Sequence, residues 1–530
     1  MAGFIDVLLR GLILVATSVT LGGAAWLLLV RRVEPHLKPD RATRRALRLA
    51  AAGALTAAVA QAAVMAVAAG ALAAPETGWP IVAYAATTFA RVAALRVLLG
   101  LVLGALALAL ARRPAGAAAW AALGAGAVGL VALSAVLSHA IARVDTRPLL
   151  VALDAVHQIA AAIWVGGLAH LTLHGARRVG DTDGPEGGSS DDGVLIRRFS
   201  TLALGSVVVL TVAGTAMTWF YVGDPAALVG TAYGVMVLSK VALFVTALGL
   251  AAANFGLARR IAGAPPVRLS RYVEVELGLG VTILFVAASL TSLPPAVDVT
   301  SDRATVPEVA ARFVPGPPRL TSPPITELLR TAEPLMEKQT TRLPIERAWS
   351  EYNHHWAGLF VLAMGLLAAL ERLGVRAARH WPLVFLGLAG FLFARNDPRA
   401  WPLGPAGFWE SMWLPDVLQH RAFVLLVVAF AVFEWTVRTG RLSPRPWVYV
   451  FPLLCAAAGG LLLTHSHAMF SLRDQFLVEV THAPIGILGV FAGWGRWLEL
   501  RLPQAGRGPG WIPPVCFSVI GLLLLFYRED

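Results

Sequence analysis

Runs of about twenty apolar residues, closed by short polar or Gly/Pro-rich breaks, recur along nearly the whole 530-residue chain. In helical form a run of that length crosses the roughly 30 Å hydrocarbon core of a bilayer. The pattern predicts about fourteen spans, at 5–30, 46–74, 91–112, 116–137, 149–173, 201–222, 232–258, 272–292, 353–371, 382–395, 415–437, 446–468, 476–498 and 511–527. One long hydrophilic stretch, 293–350, interrupts them. It is rich in proline (Pro294, Pro295, Pro315, Pro317, Pro318, Pro323, Pro324) and reads as a linker with one short helix near 325–338. The predicted fold is therefore an all-α, polytopic transmembrane helical bundle in two bundles. Its parts are an N-terminal four-helix membrane region (1–148), a second four-helix membrane domain (149–300), an extracytoplasmic Pro-rich linker (301–350) and a six-helix membrane domain (351–530).

Composition agrees with the pattern. At 57% hydrophobic and 14% charged residues, the chain is too apolar for a soluble protein of this length. A formal charge of +12 raises the question of nucleic acid, but the arginines sit in short loops between spans. Arg31 and Arg32 follow span one, Arg112 and Arg113 span three, Arg177 and Arg178 span five, and Arg259 and Arg260 span seven. In the back half Arg372, Arg438 and Arg496 follow spans nine, eleven and thirteen. Positive loops stay cytoplasmic, so the alternation places both termini outside a bacterial inner membrane. The lipid bilayer is the expected partner, and nucleic acid is excluded. The stretch 180–193 reads as a flexible cytoplasmic loop. The first span has no convincing small-residue cleavage site and reads as a retained helix. Cys455 and Cys516 lie far apart inside apolar runs, which argues against a disulfide framework and makes thiol-based metal binding weak.

The chemistry concentrates in histidine. Six of twelve histidines, His354, His355, His420, His465, His467 and His482, fall at span ends that this threading puts on one outer side. Imidazole is costly at membrane depth and is the commonest metal ligand, so convergence points to a transition-metal site. Glu351/His354 and Glu479/His482 repeat Glu-x-x-His, a spacing that aims both side chains along one helix face. Pairs of such motifs build dinuclear carboxylate sites, but these need two further carboxylates, for which only Asp416 and Glu410 offer themselves. The histidine-rich balance favours copper, with thioether sulfur from Met469 or Met412 suiting the cuprous state. Interfacial hydrogen bonding is the alternative for any single histidine. His354 and His355 point about 100° apart, so one of them faces the bundle.

In the front half, Asp154, His157 and Trp164 share a face of span five, within the run Trp164-Val165-Gly166-Gly167, and Lys240 lies about two turns inside span seven. Asp154 and His157 are candidate metal-site residues, and Asp154 with Lys240 is a candidate ion pair. His139 precedes span five on the outer side and is a possible addition to the site. His36, His170, His174 and His380 read as solvated inner-face residues. The Gly-Gly step also reads as close helix packing.

These residues carry a resemblance to the copper resistance protein D (CopD) family. It is shared by Asp154-x-x-His157 with its Trp-Val-Gly-Gly sequel, Arg198-Phe199-Ser200, Tyr233-Gly234 with Lys240, Glu274 and Glu276, and Leu293-Pro294-Pro295-Ala296. The resemblance covers roughly 149–300 and implies copper import or copper tolerance at a bacterial inner membrane. The first four spans resemble helices that often precede such a domain. Gln419-His420 and the His/Met cluster faintly resemble membrane copper factors for oxidase assembly of the CtaG type.

The leading expectation is a copper-binding membrane protein rather than an enzyme, accepting copper at the outer face, with a periplasmic or extracellular copper-binding protein as a candidate partner. No Walker motif or phosphorylation sequence is present, so nucleotide is not an expected partner. The alternatives are a haem b redox protein held by paired histidines and a dinuclear metal oxidase-like enzyme built on the two Glu-x-x-His elements.

Overall fold

A computed structural model describes residues 2–73, 78–175, 190–260, 266–330, 343–442, 446–464, 473–502 and 508–529. Among these, thirteen helices are long and apolar enough to cross a membrane, and Pro509–Leu525 is a shorter apolar helix. Together they coincide with the fourteen predicted spans. In the front half the helices are α1 (Ala2–Ala25, continued as a π-helix over Trp26–Arg31), α2 (Arg41–Ala71), α3 (Thr88–Leu110), α4 (Ala117–Ala135), α5 (Arg147–Gly175), α6 (Ser190–Val222), α7 (Ala232–Arg260) and α8 (Pro266–Leu290). The back half has α9 (Pro344–Arg372), α10 (Val384–Arg395), α11 (Pro415–Arg438), α12 (Val450–Thr464), α13 (His482–Arg501) and α14 (Ile512–Leu525).

Local chemistry sets the helix starts. Asp40 precedes α2 and its carboxylate accepts from the Thr43 amide at 2.7 Å, satisfying one of the orphan donors at a helix N-terminus. Thr87 does the same for α3 through the Ala90 amide at 3.1 Å. Ahead of α9, Glu346 reaches back to the Leu343 amide at 3.1 Å.

The chain divides into two compact units, Met1–Leu228 with Met236–Thr300, and Val229–Val235 with Ser301–Asp530. Regions 1–148 and 149–300, apart from Val229–Val235, thus fall in one unit. There α1 packs on both α2 and α5, α2 on α3, α5 on α6, and α8 on α1 and α5. Small residues allow these approaches. A Cβ on Gly166 would collide with the Ser18 carbonyl of α1, and one on Gly167 would collide with the Phe199 ring of α6. The Trp-Val-Gly-Gly run is therefore a packing seam, with Gly166 facing α1 and Gly167 facing α6.

In the second unit the six span helices close a circuit, α9 against α14, α14 against α13, α13 against α12, α12 against α11, α11 against α10 and α10 against α9. Met364, Trp381, Phe385, Phe430, Phe451 and Phe517 fill its centre. The rings meet at angles suited to their quadrupoles, as in Phe385–Phe430 at 5.6 Å and 71°. The Pro-rich segment contributes short helices Val306–Ala311 and Ile325–Arg330. Part of it is not a loose linker. The Trp356 indole donates to the Leu320 carbonyl at 3.1 Å, and the Arg319 amide donates to His355 Nδ1 at 2.6 Å.

Candidate metal site

The N-terminal half of α9 and the start of α13 bring together two of the six predicted histidines. The His354 and His482 rings meet edge-on with centroids 5.8 Å apart. Tyr527, just past the end of α14, stacks on His354 at 4.1 Å and 27°. His354 Nδ1 donates to the Ser350 carbonyl at 2.8 Å, which leaves the ring lone pair on Nε2. A backbone carbonyl fixing the tautomer in this way is the usual support of a metal-ligating imidazole.

Carboxylates line the same end of the bundle. Glu351 is 7% exposed, accepts from Arg319 Nε at 3.3 Å and from the Glu529 amide at 3.2 Å. Glu529 accepts from the Tyr527 hydroxyl at 2.9 Å and from the Ser350 hydroxyl. Sequence reasoning missed Ser350, Tyr527 and Glu529, and no spacing rule could have found them, because their partners lie up to 179 residues away.

Other predicted ligands are engaged elsewhere. His355 is 2% exposed, accepts from the Arg319 amide through Nδ1 at 2.6 Å and donates through Nε2 to the Tyr527 carbonyl at 2.8 Å. Both nitrogens therefore serve the backbone, and His355 pins the Pro-rich segment and the Tyr527 segment to α9. His420 is partly exposed and donates through Nδ1 to Asp397 at 2.7 Å. Glu479 closes the short helix Arg473–Glu479 before α13. His465, His467 and Met469, between α12 and that short helix, lie outside the described residues. Among the described residues, no three His, Cys, Asp or Glu side chains are placed to hold a metal ion together.

In the front unit, Asp154 is 6% exposed and accepts from Gln158 Nε2 at 3.0 Å. His157 Nδ1 donates to the Leu210 carbonyl of α6 at 3.1 Å, again leaving the lone pair on Nε2. A Cβ on Gly214 would lie 3.0 Å from the His157 ring, so glycine there admits the imidazole. Lys240 lies within electrostatic reach of both Asp154 and His157, though among the described residues no ion pair joins it to Asp154. His139 lies outside the spans, and burial, followed by the Arg143 charge, lowers its pKa from the usual value. His170 departs from expectation. It is 1% exposed and donates to the Val19 carbonyl at 3.1 Å, a buried link between α5 and α1 rather than a solvated residue.

The opposite end of the six-helix circuit holds a charge network that the loop-charge reading overlooked. Glu434, fully buried, takes Arg438 Nε at 2.5 Å and Arg496 Nε at 3.0 Å on one oxygen. Arg438 also pairs with Glu371 at 2.5 Å, Arg496 with Glu499 at 2.8 Å, and Arg372 with Glu499. Three arginines that had counted as cytoplasmic loop charges are thus bound to three glutamates. The signal was present in the i,i+3 and i,i+4 spacings of Arg496/Glu499 and Glu434/Arg438.

Residues 193–290 match the family profile of copper resistance protein D. Arg198, Phe199, Ser200, Tyr233, Gly234, Lys240, Glu274 and Glu276 lie inside that segment, whereas Asp154, His157 and the Trp-Val-Gly-Gly run precede it. Copper transport protein CutJ of Bacillus subtilis (strain 168) is 34% identical over 166 residues. That match takes in 31% of this chain and 29% of the relative, so the chain spans less than a third of the length of the curated protein it matches. No solved structure matches the chain.

Proposed function

We propose that this chain, whose residues 193–290 match the copper resistance protein D profile, binds copper at its extracytoplasmic face and carries it into or across the membrane. The observation that carries the reading is the His354–His482 pair, whose rings approach to 5.8 Å with the His354 tautomer fixed for ligation through Nε2. Imidazole suits copper, and soft sulfur from the segment bearing Met469 would favour the cuprous ion. Alternation of basic loops supports an outer position for the pair and both termini. His465 and His467 belong to the chain joining α12 to the helix pair that ends in α13, and they are proposed as further ligands. In the front unit Asp154 and His157 are proposed as a second station, with Lys240 balancing the carboxylate until a metal ion arrives. Glu351 and Glu479 are proposed to tune the site from its rim. Movement would draw on an ion gradient, since the sequence holds no nucleotide-binding motif.

The test is copper analysis of detergent-purified protein titrated with cuprous ion. His354→Ala and His482→Ala should each weaken binding by roughly tenfold or more, since even outer supports of a metal site are worth about 10–100-fold. His355→Ala should destabilise the protein yet retain copper. Unchanged affinity in both pair variants would end the proposal. An absorbance scan of the same samples separates copper from haem through the Soret band.

A further inference from the structure

Glu276 lies in α8 with 5% of its side chain exposed, and it accepts a hydrogen bond from the Trp164 indole of α5 at 3.1 Å. Trp164, 2% exposed, is met edge-on by Phe244 of α7 with centroids 5.5 Å apart. One turn along α8, Gly280 is small enough to let Val165 of α5 come close. The carboxyl thus sits where three helices meet. It is five residues beyond Arg271, about 7.5 Å along the axis.

Charged and titratable groups on the surrounding helices are committed elsewhere. On α8 itself Arg271 pairs with Glu274. On α5, Asp154 and His157 lie ten and seven residues before Trp164, about 15 and 10 Å along the axis. Asp154 is bonded to Gln158, His157 to the Leu210 carbonyl and His170 to the Val19 carbonyl. On α7, Lys240 precedes Phe244 by one turn and lies within electrostatic reach of Asp154 and His157. On α1, which packs against α8, Arg10 pairs with Asp6 at 2.6 Å. Among the described residues, the hydrogen-bond partner of Glu276 is the neutral indole.

An ionised carboxylate among membrane helices needs a cation or several donors, and one indole N–H is neither. A carboxyl that keeps its proton needs only a partner for its carbonyl oxygen, and the indole N–H supplies one. We infer that Glu276 is a proton-binding site of the front bundle, protonated at rest and discharged when a monovalent metal cation enters. This rests on the reading of the protein as a copper carrier. In the step, the Glu276 O–H bond breaks and its proton leaves to water. The entering cuprous ion replaces that positive charge, and departure of the ion lets the carboxylate take a proton back. The charge of the bundle stays constant throughout, so no step leaves a lone ion in the membrane interior.

The experiment loads the full-length protein in weakly buffered detergent with cuprous ion and follows proton release with a pH indicator alongside bound copper. Wild type should release one proton more per copper than Glu276→Gln, which keeps an acceptor for Trp164 but has nothing to release. Glu276→Asp, with its carboxyl one methylene shorter, should restore the release, and infrared difference spectra should lose a protonated-carboxyl band on loading in wild type and Glu276→Asp but not in Glu276→Gln. Equal proton release from wild type and Glu276→Gln, with copper bound by both, overturns this inference and leaves the copper reading standing. Absence of copper binding in wild type overturns both. If Glu276→Gln does not purify as a monodisperse protein, the infrared band decides: its persistence in copper-loaded wild type overturns the inference.

Discussion

Replacing Glu434 by glutamine keeps its shape and removes one charge from the centre of the network joining α9, α11 and α13. Glu434 is fully buried, and a single oxygen serves both Arg438 and Arg496, whose side chains are 8% and 6% exposed. Removing one partner of a buried ion pair costs about 3–5 kcal/mol, because the remaining charge loses its compensation. Here each arginine keeps a second carboxylate, Glu371 at 2.5 Å for Arg438 and Glu499 at 2.8 Å for Arg496. The expected loss is therefore at the lower end, about 3 kcal/mol. For a domain of roughly 150–250 residues, each kcal/mol moves the midpoint by about 2–4 °C, so a fall on the order of 10 °C is expected. Thermal unfolding in detergent, followed by tryptophan fluorescence, measures it. Adding Arg496→Met removes the surplus cation and should recover part of the loss, a coupling of about 0.5–3 kcal/mol between neighbours. If Glu434→Gln melts within about 2 °C of the parent, or the two changes simply add, the network carries no stabilising charge balance.

Three more outcomes follow from the geometry. Gly166→Val drives a side chain into the Ser18 carbonyl and should cost about 1–3 kcal/mol of thermal stability or more, while Gly249→Ala, which meets nothing within 4 Å, should cost far less; comparable melting of the two would refute the seam. His139 binds its proton less readily folded than unfolded, because burial and then Arg143 hold its pKa below the usual 6.5. Its contribution is therefore present above about pH 6.5 and is lost as pH falls below it. His139→Gln should flatten the decline of melting temperature on acidification, and parallel curves for the two proteins would show that another group governs it. His355→Ala removes two buried hydrogen bonds and should cost about 1–3 kcal/mol in a melt of the copper-free protein; an unchanged melt would deny His355 its clamping role.

The spans were legible because a helix in hydrocarbon must satisfy its backbone internally and expose apolar side chains for the full thickness, which leaves a long, unbroken record in the sequence. Azimuth and distant pairing leave none. His354 and His355 are neighbours with equal claims by spacing, yet one meets His482 and the other is held between Arg319 and Tyr527. His420 belonged to the expected ring by position along its helix, but its imidazole turns to Asp397. Glu276 was noticeable as part of a resemblance, while its bond to Trp164 spans 112 residues and follows from packing alone. Arg372, Arg438 and Arg496 fit the loop-charge pattern as well as solvated arginines do, so their pairing with Glu371, Glu434 and Glu499 leaves no mark on it.

The shortness of the last apolar helix links the lipid to the histidine pair. At 1.5 Å per residue, Pro509–Leu525 is about 25 Å long, a few ångströms less than a typical hydrocarbon layer of about 30 Å. The bilayer must pinch around it or the helix must be pulled outward, and either response stores hydrophobic mismatch energy. Gly358, Gly365 and Gly521 bring α9 and α14 so close that no Cβ fits between them, which resists sliding. Tyr527, two residues beyond α14, would pass any such pull to the stacked His354 ring. Acyl-chain length should then act as a tuning knob on the mouth of the back bundle.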